Sequence, residues 1–134
     1  MSAYLMLLAC VIVGGLGVVH GYLTFFSHVF APRDVELAQA MLRVSPRISS
    51  ATTMWRAGQG FHASHSLGAL LFALIYGYLS LQQPALLFAS VALQLIGAVY
   101  LLCLALLAFR YWFKVPQRGV VLATVCYLLA CWLA

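Results

Sequence analysis

The sequence predicts an all-α integral membrane protein, a four-transmembrane-helix bundle with a short amphipathic helix in its first inner loop. Three observations predict it. Of 134 residues, 66% are hydrophobic and 7% charged, with a mean hydropathy of +1.06, whereas a soluble domain of this size needs far more charge to cover its surface. The apolar residues fall into four long runs, about 3–28, 50–81, 84–109 and 117–134, each near or above the roughly 20 residues that cross a bilayer. All seven Lys and Arg lie in or beside just two of the links that join those runs.

The first run, "MSAYLMLLACVIVGGLGVVHGYLTFF", lacks a basic leader and is too long for the apolar part of a secretory signal, so it is expected to stay as a span. After it, "PRDVELAQAMLRV" predicts a helix over about 33–44. Pro32, Asp34 and Glu36 suit a first turn and Arg43 a last turn, as the helix dipole favours. Val35, Ala38, Met41 and Leu42 share one side at helical spacing, which suits an interfacial helix. Pro46 stops that helix, and Ser49 or Ser50 is expected to cap the second span. Only "QQPA" separates spans two and three, with Pro84 opening the third helix. The fourth run is about 18 residues long, close to the lower limit for a span. Residues 1–134 read as a single transmembrane domain with no room for a soluble module.

Placement of the cations sets the expected orientation. Arg33, Arg43, Arg47 and Arg56 belong to the link between spans one and two; Arg110, Lys114 and Arg118 belong to that between spans three and four. The positive-inside rule makes that side cytoplasmic and puts both termini outside. The net charge of +5 is thereby explained, and nucleic acid is not an expected partner. Cys10, Cys103, Cys126 and Cys131 all sit in apolar runs and are expected as free, buried thiols.

Inside this hydrocarbon the stretch "MWRAGQGFHASHSLGALLF" stands out, because imidazoles at membrane depth must face protein or a wet cavity. His62 and His65 rise roughly 9 and 13 Å beyond Arg56, and His20 lies about 9–12 Å before the end of span one. The three imidazoles are therefore expected in one inner-leaflet layer, with Gln59 and Ser66 adjoining. His28 belongs to the interface. Small residues every three or four positions, Gly14, Gly17 and Gly21 against Gly60, Ser64 and Gly68, are expected to pack span one on span two.

Three roles remain open for the layer: hydrogen-bonded helix glue, the lining of a ligand cavity, or imidazole ligation of a metal or haem iron by His20, His62 and His65. Chemistry by paired carboxylates is excluded, since Asp34 and Glu36 are the only two acids and do not face each other at that spacing. No GxSxG, HExxH or phosphate-binding glycine loop occurs. The leading expectation is a non-enzymatic binding or accessory subunit. A chain this small is expected to form a homo-oligomer or to join a larger membrane complex.

Two resemblances follow from particular residues. "GFHASHSLG", with "TMWRA" and "HGYLTFF", resembles a group of small bacterial four-span proteins carrying Phe-(Asn/His)-x-Ser-His-(Ser/Gly)-x-Gly at the start of span two. That resemblance covers about two-thirds of the chain and implies a bacterial inner membrane but no activity. Length, span count and the long first inner loop resemble the MAPEG proteins (membrane-associated eicosanoid and glutathione metabolism), homotrimers that bind glutathione or lipid between subunits. Their second span opens Arg-Ala-His-x-Asn-x-x-Glu. Here Arg56 and Ala57 match, while Gly58, Gly60 and Ala63 stand where His, Asn and Glu would be. "KVPQRG" is similar to their Pro-x-Arg before span four, which implies an anion-binding role for Arg118 with Tyr111 nearby. The alternative function implied is a membrane enzyme acting on a hydrophobic substrate with a thiol co-substrate held by Arg56 and Arg118.

Overall fold

A computed structural model describes residues 1–134 as six helices: α1 Ser2–Phe26, α2 Val35–Arg43, α3 Met54–Gln82, α4 Pro84–Ala89, α5 Val91–Tyr111 and α6 Lys114–Trp132. Four of these, α1, α3, α5 and α6, are long and apolar enough to cross a membrane, and only 22% to 33% of each span is buried in the protein. Val11, Leu74, Leu95 and Leu106 are among the many large apolar side chains left exposed. Such a surface is stable against acyl chains, where helices also satisfy their own backbone hydrogen bonds. The protein is an all-α, multi-pass membrane protein.

Three boundaries differ from expectation, each through local hydroxyl chemistry or proline. The second span starts at Met54 rather than about residue 50, because Thr53 Oγ1 accepts from the Arg56 N–H at 3.3 Å while Ser49 closes a turn by accepting from Ala51 N–H. Neither Ser49 nor Ser50 caps that helix. The third run is broken at Ser90 into α4 and α5. Ser90 caps α5 by accepting from Leu93 N–H, and Gln94 Nε2 donates back across the break to the Phe88 carbonyl at 2.7 Å. A serine offers the backbone a side-chain partner and so favours helix starts over helix interiors. The last helix starts at Lys114, which puts Pro116 in its first turn, where a missing N–H loses no intrahelical bond. In α2, Asp34 is the cap, accepting from Leu37 N–H at 2.8 Å, with Glu36 in the first turn and Arg43 in the last.

The chain divides into two compact units, Gly17–Gly68 and a larger one made of Met1–Leu16 and Ala69–Ala134. In the larger unit the segments of α1 and α3 run antiparallel. A Cβ on Gly14 would come within 3.0 Å of the Ala73 Cβ, and one on Gly77 within 3.9 Å of the Cys10 Cβ. At the ends Ser80 donates to the Ala3 carbonyl and Ser2 to that of Leu133. Phe72 is stacked on Tyr76 (ring centroids 4.6 Å apart) and on Tyr100 (5.0 Å), and Tyr127 meets Tyr76 edge-on at 5.7 Å. Tyr127 is fully buried and donates to the Gln94 carbonyl at 2.9 Å. Thr124 donates to Val120 and, more weakly, to Leu101, so it joins α6 to α5. All four thiols are free, and Cys103 is exposed rather than buried.

The small-residue stripe of span two is not the packing face. Gly60 and Ser64 are exposed, and a Cβ on Gly60 would touch nothing within 4 Å. In the smaller unit the close approach is between Gly21 and Ser66, whose Oγ lies 3.4 Å from a Cβ built on the glycine. Gly60→Ala is therefore expected to be near neutral in thermal unfolding, whereas Gly21→Leu lowers the melting temperature by driving a bulky side chain into Ser66.

Candidate functional site

Within Gly17–Gly68, His20 belongs to α1 and His62 and His65 to α3. His20 lies six residues before the end of α1, about 9 Å of rise, and His62 eight residues after the start of α3, about 12 Å. At these depths the rings meet. His20 Nε2 and His62 Nδ1 are 3.1 Å apart, a hydrogen bond in which one nitrogen donates and the other accepts. The centroid of His65 lies 5.2 Å from that of His20, nearly perpendicular to it at 76°. Such a bond holds two neutral rings, or one charged ring and one neutral, but not two imidazolium ions, because both facing nitrogens would then carry hydrogen.

Residues unrecognised in the sequence complete the site. Phe30, in the turn after α1, stacks on His62 with centroids 4.5 Å apart and planes 14° from parallel, and lies 4.8 Å from the His20 ring. It forms an apolar wall against both imidazoles. The available signal was a bulky phenyl ring, Phe30, in the short link "SHVFAPRD" that joins the first span to the interfacial helix. Beside His62 is a pocket of ≈ 50 Å³ lined by Thr24, Ser27, Phe30, Trp55, Gln59 and His62, among others. It is larger than the about 10–15 Å³ that admits one water, and far below the roughly 300 Å³ at which organic-ligand pockets begin. A porphyrin or a tripeptide does not fit it. Met41 from α2 also reaches it, so the interfacial helix helps to close the site. Of the four apolar positions expected on one face of α2, only Ala38 and Met41 are half-buried; Val35 and Leu42 are exposed.

The hydroxyls nearby already have partners. Thr24 donates to the His20 carbonyl at 2.8 Å, Ser27 to that of Leu23 at 2.6 Å, and Ser66 to that of His62 at 3.2 Å. Ser66 is thus buried and turned to its own helix rather than placed among the pocket-lining residues. Gln59 and His62 do line the pocket. Arg56 is exposed in the first turn of α3, and Arg118, in the larger unit, is exposed on α6. His28 is exposed. No buried polar side-chain atom lacks a partner, as low-dielectric surroundings require. No group of three or more His, Cys, Asp or Glu side chains is placed to hold a metal ion, so metal ligation by all three of His20, His62 and His65, one of the roles left open by the sequence, has no preformed three-ligand set.

What this arrangement offers chemically is a linked pair of imidazoles with a small recess on one flank. It can present a donor and an acceptor to a small polar group, and it can exchange a proton between two rings; no carboxylate lines the pocket. No protein-family model, curated protein or solved structure matches the chain.

Proposed function

We propose that this is a bacterial inner-membrane protein with both termini outside, acting as a non-enzymatic binding or accessory subunit of an oligomer or larger membrane complex. Its working centre is the histidine layer in the inner leaflet, and the recess beside His62 and Gln59 takes one small polar group from a partner helix. The observation that carries this reading is the 3.1 Å bond between His20 and His62 beside a pocket of ≈ 50 Å³. Intramembrane ionisable groups are held at such depth for function more often than for packing alone, and the space suits a side-chain head rather than a substrate.

The test is site-specific photo-crosslinking from position 59 in native membranes. A discrete adduct that His62→Asn keeps and His62→Ala abolishes supports the reading. An adduct-free monomer, with both variants changing stability alone, leaves the histidines as helix glue. The MAPEG-like alternative makes a separate demand: glutathione at millimolar concentration must raise the melting temperature of the detergent-solubilised protein. The accessory-subunit reading expects no shift.

Orientation is checked with single cysteines placed in a background whose four native thiols are replaced. Ser2→Cys is expected to react with a membrane-impermeant maleimide in intact cells, and Ser49→Cys only after lysis. Labelling in the reverse order would invert the proposed topology.

A further inference from the structure

A second site lies in the larger unit, and nothing in it depends on the histidine layer. Along α6, Lys114 and Arg118 are four residues apart and so share a face, which Leu122 and Val125 continue at the same helical spacing. With Phe109 of α5 and Gln117 they line a groove of ≈ 500 Å³. Its two ends differ in chemistry. One carries two cations and an amide; the other is lined by Leu122 and Val125, both about half exposed, and Phe109 is exposed beside them.

Length and charge both identify an occupant. From Lys114 to Val125 the helix rises about 16 Å at 1.5 Å per residue, close to the roughly 15 Å depth of one leaflet's hydrocarbon. The cations therefore stand at headgroup level while Leu122 and Val125 reach acyl depth. No Asp or Glu occurs anywhere in Met1–Leu16 or Ala69–Ala134, so Lys114 and Arg118 have no side-chain anion in their own unit. A phosphodiester supplies the missing charge, and Arg118 and Gln117 supply N–H donors suited to its oxygens. We infer that this groove is a binding site for one anionic phospholipid, its phosphate at Lys114, Gln117 and Arg118 and an acyl chain along Phe109, Leu122 and Val125.

The test is native mass spectrometry of the full chain in non-ionic detergent, titrated with phosphatidylglycerol or with phosphatidylcholine of the same acyl composition. One phosphatidylglycerol is expected to be retained in preference to phosphatidylcholine. Lys114→Gln with Arg118→Gln is expected to weaken phosphatidylglycerol retention by roughly 10- to 30-fold, as two cations near an anionic headgroup imply. Arg33→Gln with Arg43→Gln removes the same charge elsewhere and keeps the preference. Leu122→Trp leaves both cations but fills the groove, and is expected to lose the bound lipid. Equal retention of the two lipids overturns the site, as does an equal loss in the Arg33/Arg43 control. Retention undiminished in Leu122→Trp, or displacement of the lipid by glycerol phosphate at matched concentration, overturns the acyl half of the assignment.

Discussion

Gly97→Ala is expected to destabilise the protein by about 3 kcal/mol, the sum of overpacking at about 1–3 kcal/mol and disturbed tyrosine hydrogen bonding at about 1 kcal/mol. Gly97 is buried in α5 beneath the aromatic cluster. A Cβ there would collide with the Tyr127 hydroxyl, stand 2.5 Å from its Cζ and 2.8 Å from the Cζ of Tyr76. Neither ring has an easy retreat. Tyr127 is fully buried and bonded to the Gln94 carbonyl, while Tyr76 is stacked on Phe72 and bonded to the Leu93 carbonyl at 2.7 Å. Equilibrium unfolding in mixed detergent micelles reads the loss. Gly15→Ala on the exposed side of α1, where a Cβ meets nothing within 4 Å, supplies the control and should change stability by less than about 0.5 kcal/mol. Adding Tyr127→Phe to Gly97→Ala removes the atom of closest approach and is expected to recover part of the loss. Equal stability of the Gly97→Ala and Gly15→Ala proteins would show that the aromatic cluster is not packed against α5 as described.

His62→Ala is expected to cost about 2 kcal/mol. An interhelical hydrogen bond in a membrane contributes roughly 0.6–2 kcal/mol, and loss of the stacked ring against Phe30 adds about 0.5–1.5 kcal/mol. Asparagine places an amide atom near the position of Nδ1, the atom that meets His20. His62→Asn should therefore keep the hydrogen bond and lose only the stacking. A double-mutant cycle with His20→Ala isolates the pair: a coupling near 1 kcal/mol fits a direct bond. Additive losses would mean the two rings do not hold each other.

Legibility differed among the elements for identifiable reasons. Four runs of apolar residues were enough to locate four spanning helices, since each run is far longer than the one-sided pattern of a soluble helix. Helix ends were less legible. The break at Ser90 sits inside an apolar run, and a serine there reads equally well as a tolerated interior residue or as a cap. Tertiary contacts on Leu93 and Gln94 accompany the second outcome. Depth counted along two helices put His20, His62 and His65 at one height, because a fixed rise per residue converts sequence position into height, but which rings meet was not legible, since the small-residue face expected on span two is not the one that packs. Phe30 could not be found that way. It lies outside any helix, so its position has no period to read.

By itself, amino-acid order determined that the chain lives in a bilayer, how many times it can cross, and at which heights its polar groups sit. Those properties come from hydropathy and axial rise, which are local. Rotation about each helix axis was decided only by the tertiary structure. Gly60 and Ser64 ended on the outside while Gly21 met Ser66, and Tyr127 filled the space above Gly97. Membrane helices are apolar on every face, so hydrophobic patterning cannot choose which face turns inward; close packing and hydrogen bonds choose it.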